Sequence, residues 1–281
     1  MNKLLLSLLI LLLAAGCTER INVNLDSSYV RLVVDGGITN DSMQRSVSLS
    51  KSASYFYNQP PPMVSNAIVI LSDGSFPDTL KEQLPGHPGV YSLDPAFRGI
   101  IGKTYSLSIK LPEVIGNSSE YFSTCKIMKV ARLDSIQTEF DPNMGKSGRW
   151  LIKIFAQEPG DEFNYYLLRY YRNGILMSDS IQKWGTSDDK FFNGSYIRGL
   201  TAFRINNANY WETLHPGDTV KVQMSGITKE YYDFIRQVQQ AGYQIPFFSG
   251  PPANVEGNLN NGAVGFFFAY SDSFATQIIP K

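Results

Sequence analysis

The feature that most restricts how this chain can fold is a series of short segments in which apolar and polar residues alternate, with turn residues between them. Tyr29-Val30-Arg31-Leu32-Val33-Val34 is the first, ended by Asp35-Gly36-Gly37. Val47-Ser48-Leu49-Ser50 follows, then the β-branched run Ala67-Ile68-Val69-Ile70-Leu71, stopped by Ser72-Asp73-Gly74. Gly89 to Leu93 and Thr104 to Ile109 repeat the two-residue period. That period places successive side chains on opposite faces of a strand. Pro60-Pro61-Pro62 interrupts the series and belongs to a loop, because proline cannot donate to a central ladder. Several short strands at this spacing, with no helical period among them, predict a β-sandwich over residues 29–130.

The second half repeats the pattern. Strands are expected at Asp134 to Phe140, Trp150 to Phe155, Tyr165 to Arg172, Ile175 to Trp184 and Thr219 to Met224, with a closing strand over Gly262 to Tyr270. Asn173-Gly174 between two apolar runs is a strong hairpin signal, since both residues tolerate the positive φ of a type I′ turn. The Gly145-Lys146-Ser147-Gly148 stretch lacks the spacing and context of a phosphate-binding loop and reads as a plain connection. One segment departs from the pattern. Tyr231, Phe234, Ile235, Val238 and Ala241 recur at helical spacing, with Thr228 placed as N-cap and Gly242 as terminator. The expectation is a mainly β chain of two sandwich-like (immunoglobulin- or transthyretin-like) domains, 29–130 and 131–281, the second carrying an amphipathic helix at about 228–242.

The first seventeen residues have a separate character. Lys3 precedes an unbroken apolar run from Leu4 to Leu13, then Ala14-Ala15-Gly16-Cys17. About ten apolar residues are too few for a permanent span, which needs roughly 20, so residues 1–16 read as a removable signal peptide. Leu13 to Cys17 resembles a bacterial lipobox, which implies lipid on the Cys17 sulfur and a tether over 17–28. Two or three acyl chains at about 0.8 kcal/mol per buried methylene suffice as an anchor. Similarity to enterobacterial lipoproteins, in which an aspartate after the lipidated residue means inner-membrane retention, points to the outer membrane, because Thr18 follows Cys17. Which face of that membrane the domain occupies is left open.

Charge and cysteine content narrow the functional classes. Lys plus Arg and Asp plus Glu are 25 each, so no basic excess is present for nucleic-acid binding. With Cys17 lipidated, Cys125 has no disulfide partner, and stability rests on apolar burial. His87 and His215 each lie beside a proline in a turn sequence, with no second histidine at metal-ligand spacing. Neither a metal site nor a cofactor is expected. No Gly-x-Ser-x-Gly elbow occurs. The acidic pairs Asp161-Glu162 and Asp188-Asp189 read as solvated loop residues or as strand neighbours on opposite faces. What stands out is aromatic density. Tyr165, Tyr166, Tyr170, Tyr171, Trp184, Phe191, Phe192, Tyr196, Tyr210 and Trp211 crowd the second half. Alternation turns Tyr165 or Tyr166, and Tyr170 or Tyr171, outward, and Tyr166, Tyr170, Trp184, Phe192, Tyr210 and Trp211 are taken as the candidate binding surface for a glycan, a peptide or a partner protein.

Taken in order, several stretches resemble one family. They are Leu32-Val33-Val34-Asp35-Gly36 with Ile38-Thr39, Leu49 to Phe56, Pro61-Pro62 leading to Val64 to Ala67, Gly89-Val90-Tyr91, Pro251 to Val255 with Gly257-Asn258, and Gly265-Phe266-Phe267. Together with the lipobox they are similar to Bacteroidetes lipoproteins grouped as domain-of-unknown-function family 4249. The first half also resembles carboxypeptidase-regulatory or transthyretin-like sandwiches. The family resemblance implies an outer-membrane lipoprotein working beside a TonB-dependent receptor, and brings no catalytic residues. A non-catalytic ligand-binding or accessory module is the expected function; a hydrolase acting on an envelope glycan or peptide is the alternative.

Overall fold

The computed structural model describes residues 30–41, 45–53, 59–242 and 255–280. The signal segment, Cys17 and the tether lie outside the described residues. The fold is mainly β. In the first half run β1 (Leu32–Thr39), β2 (Ser46–Lys51), β3 (Ile68–Ser72), β4 (Pro77–Thr79), β5 (Lys81–Gln83), β6 (His87–Ser92), β7 (Thr104–Ile115) and β8 (Ser118–Lys126). The second half contains β9 (Arg132–Asp141), β10 (Arg149–Gln157), β11 (Tyr165–Arg172), β12 (Ile175–Leu176), β13 (Gly185–Asp188), β14 (Tyr196–Asn206), β15 (Thr219–Ile227), the helix α1 (Lys229–Gly242) and β16 (Val264–Ile278).

One long sheet, ordered β12-β11-β15-β16-β1-β2-β6-β5 with β13 also on β11, runs through both halves. The sheets β4-β3-β7-β8 and β14-β10-β9 pack against it to give two sandwich-like cores. In the first core Leu32, Val34 and Leu49 of the long sheet meet Leu107 and Ile109 of β7. In the second, Val220, Val222 and Met224 of β15 meet Ile152 and Ile154 of β10. The separation expected near residue 130 describes the two small sheets. The long sheet crosses it, through β16. Val264 to Tyr270 pair in parallel with Val33 to Thr39, and Ser271 to Ile278 pair antiparallel with Gly226 to Thr219.

Three expectations about elements are corrected. Gly36 and Gly37 do not end β1, which continues to Thr39. Their role is close approach: a Cβ on Gly37 would lie 1.8 Å from the Phe268 carbonyl oxygen, so the neighbouring strand fits only against a bare backbone. The strand expected over Ile175 to Trp184 is instead the two-residue β12 followed by a 3₁₀ turn at Ile181–Lys183. The closing strand is longer than its apolar stretch, because its polar half, Ser271 to Gln277, pairs with β15. The hairpin at Asn173-Gly174 forms as expected, with φ of 51° and 83° and Arg172 opposite Ile175.

The helix covers part of the outer face of the long sheet, opposite the two cores. Tyr231, Tyr232 and Ile235 are buried against Leu167, Phe266 and Tyr270. Thr228 caps it, its hydroxyl accepting from Tyr231 N at 3.3 Å. Phe234 is only partly buried, over Phe266 at 5.1 Å between ring centres, so the centre of the packed stripe is Ile235 instead.

Candidate functional site

Among the described residues the inner face of the long sheet packs against the two small sheets, and its outer face is packed by α1. Beyond the helix the outer face is formed by alternate residues of β11, β15 and β16: Arg169 and Tyr171, Lys221, Gln223 and Ser225, and Asp272 and Phe274. Cross-strand register sets Arg169 opposite Gln223, Tyr171 opposite Lys221, and Gln223 opposite Phe274. The end of β1 and Arg45 close one side.

A polar belt borders the helix-covered part. The Asp272 side chain is fully buried and its Oδ1 accepts from Gln223 Nε2 at 2.7 Å and from Ser225 Oγ at 2.5 Å. Its Oδ2 has no hydrogen bond and sits 3.7 Å from the Arg45 guanidinium. Burial raises the Asp272 pKa, and the Ser225 and Gln223 hydrogen bonds oppose that rise. Arg45 also binds Asp41 at 3.1 Å, and its Nε donates to Thr39 Oγ1 at 2.8 Å. Asn40 Oδ1 accepts from the Asp272 backbone N–H at 2.9 Å. The Tyr171 hydroxyl donates a hydrogen bond to Gln223 Oε1 at 2.9 Å. The result is a prearranged network joining four strands.

Cations on aromatic rings extend this belt. The Arg169 guanidinium lies over Trp184 at 5.5 Å and Tyr270 at 5.7 Å and donates to Tyr270 Oη at 2.6 Å. The Lys221 ammonium lies 4.3 Å from the Tyr171 ring centre and 5.2 Å from that of Phe274. Phe274 is exposed.

The six residues expected to form one aromatic surface are divided. Tyr166 and Tyr170 are buried in the second core, a correction that follows from strand phase: in β11 the even positions face β10 and β14, and the odd ones face outward. Tyr165 meets α1, its ring tilted against that of Tyr232 at 5.1 Å between centres, and Tyr171 joins the open face. Trp184 is partly buried, its Nε1 donating to Ser178 O at 3.1 Å, and Phe192 packs on the second core. Tyr210 and Trp211 are exposed in the β14–β15 loop, edge to face at 5.5 Å. The available signal for the open face was charge within apolar strands, Arg169 in β11 and Asp272 in β16. Arg45 comes from a connection and carried no such signal.

A second cluster is buried inside. Glu158 is almost wholly covered, with the Tyr166 hydroxyl 2.7 Å from each of its carboxyl oxygens. Burial pushes its pKa up to about 7, and the neighbouring Asp189 adds to the rise while the Tyr166 hydrogen bond opposes it. Asp189 is fully buried, its Oδ2 accepting from Asn164 N at 2.9 Å. Of the two readings of Asp188-Asp189, this rules out solvated loop residues and fits neighbours on opposite faces, Asp188 ending β13 and Asp189 turned inward. Among the described residues no three His, Cys, Asp or Glu side chains stand close enough to hold a metal, and no helix is long and apolar enough to cross a membrane.

Residues 18–274 match the family model described as domain of unknown function DUF4249. The chain belongs to this family. No curated protein matches it. In this DUF4249 protein the outer face of the long sheet gathers the cations, the buried acid and the exposed aromatic ring on which a ligand could act.

Proposed function

We propose that the protein is a non-catalytic, lipid-anchored module of the outer membrane that holds a ligand beside a TonB-dependent receptor, with the open outer face of the long sheet as its binding face. The observation that carries this reading is the pairing of Lys221 with Tyr171 and Phe274, next to the hydrogen-bonded network of Asp272, Gln223, Ser225 and Arg45. An exposed aromatic platform with ordered polar neighbours needs little rearrangement to bind, which lowers the entropic cost of association. Anchoring at Cys17 is supported by the lipobox, Leu13 to Cys17.

The test is affinity capture from detergent-solubilised outer membranes with the mature protein as bait. A receptor barrel should co-purify, and Lys221→Glu and Phe274→Ala, each folded by circular dichroism, should recover less of it. Failure to recover a barrel overturns the accessory role. Turnover of a glycan or peptide by the purified protein would replace it with the hydrolase reading.

A further inference from the structure

We infer that the ligand of the open face is an acidic oligosaccharide, its carboxylate or sulfate groups meeting Lys221 and Arg169 and a sugar ring lying on Phe274. This inference rests on the outer face being the binding face, and it adds the chemical class of the ligand.

Charge gives the first argument. Arg45, Arg169 and Lys221 stand on this face against Asp41 and Asp272, and both acids lie on Arg45, at 3.1 and 3.7 Å. Among the described residues Arg169 and Lys221 enter no ion pair with a carboxylate. Arg169 Nε is buried and has no hydrogen-bond partner, although an arginine offers five donors in a fixed fork. Lys221 is in contact only with ring faces. Three cations stand here against two acids, and although Asp272 also acts on Arg169, Lys221 is held between ring faces with no carboxylate beside it among the described residues, which leaves the face complementary to an anionic ligand.

Backbone pairing gives the second argument. β15 is bonded to β11 and β16, β16 to β15 and β1, and β11 to β15 on one side and to β12 and β13 on the other. The face therefore offers no free row of N–H and C=O groups, and an extended peptide cannot add to it as a strand. Recognition has to come from side chains. Phe274, exposed beside Lys221, presents a flat apolar surface next to a positive charge, which matches a sugar ring bearing an acid.

The experiment is a glycan array probed with the full chain in detergent. It carries uronate- and sulfate-bearing oligosaccharides, including trigalacturonate, beside their neutral counterparts. Acidic members should bind about tenfold or more tightly than their neutral partners, with affinity falling as salt rises. Lys221→Gln should weaken them by about tenfold, and Phe274→Ala, which keeps the charge, should weaken them too. Arg169→Lys keeps the charge while losing the fork, and is the conservative check where Arg169→Gln fails to fold. Equal binding of acidic and neutral members, or acidic binding unchanged in Lys221→Gln, overturns the inference. If no acidic member binds while barrel capture still depends on Lys221, the ligand class falls and the binding face stands; loss of both results removes both.

Discussion

The Tyr166 hydroxyl lies 2.7 Å from both oxygens of the Glu158 carboxyl, and both side chains are buried. The pKa of Glu158 is raised from the ordinary 4.5 to about 7, first by burial. In the folded protein this group therefore holds a proton over a range where the unfolded chain has lost it. Its contribution to stability is complete below about pH 4.5 and is lost as pH rises through about 7. Urea midpoints should fall between about pH 5 and about pH 8. Glu158→Gln should flatten that part of the profile, and an unchanged slope in the variant would show that another group is responsible.

Ile235 is fully buried under the helix, whereas Phe234 is partly open. Ile235→Ala is expected to cost about 2–5 kcal/mol. Phe234→Ala should cost about 1–2 kcal/mol despite its larger side chain, because less of its surface leaves water on folding. Denaturant titration of the two variants would read the order directly, and a reversed order would move the packed stripe of α1 by one residue.

A methyl group at Gly37 would collide with the Phe268 backbone. Gly37→Ala should therefore destabilise by about 3 kcal/mol or more, the upper end of overpacking costs, since a carbonyl in a paired strand cannot rotate away. Gly174→Ala offers a contrast in the same experiment: nothing lies within 4 Å of its Cβ position, and the cost comes only from a φ of 83°.

Cys125 is buried, and burial raises its pKa to about 11. A maleimide should leave it unmodified in the native protein at neutral pH, since the thiolate is the reactive form. Labelling should appear only with unfolding, at a rate that follows urea concentration. Fast labelling of the native protein would contradict the buried position.

Cys17→Ala is expected to abolish incorporation of labelled fatty acid and to release the protein from the outer-membrane fraction. Retention in that fraction with equal label uptake would remove the lipid anchor from the proposed function.

Much of the architecture was legible because it depends on local pattern. The period of two located most of the strands, and the helix was visible through the 3.6-residue recurrence of Tyr231, Ile235 and their neighbours. Pairing between distant segments was not legible. Nothing in Leu32–Thr39 announces that it lies parallel to Val264–Tyr270, and the two glycines that permit this contact look, in isolation, like a turn. The site suffered from the same blindness. Aromatic density pointed to the half of the chain that carries the proposed face, but the phase of β11 decides whether Tyr170 or Tyr171 meets solvent. Strand phase is set by tertiary packing, and an aromatic on either side satisfies the local preference equally.

Strand β16 also governs when the protein can become folded. It contributes to both cores, and its Asp272 binds Asn40 from 232 positions further along the chain. A chain that emerges from a ribosome or a translocation channel N-terminus first has neither core closed until Val264–Ile278 is through. Long-range pairing of this kind is slow to form. For the exported protein proposed above, the order of the strands would by itself keep passage through a narrow channel, which requires an extended chain, ahead of folding.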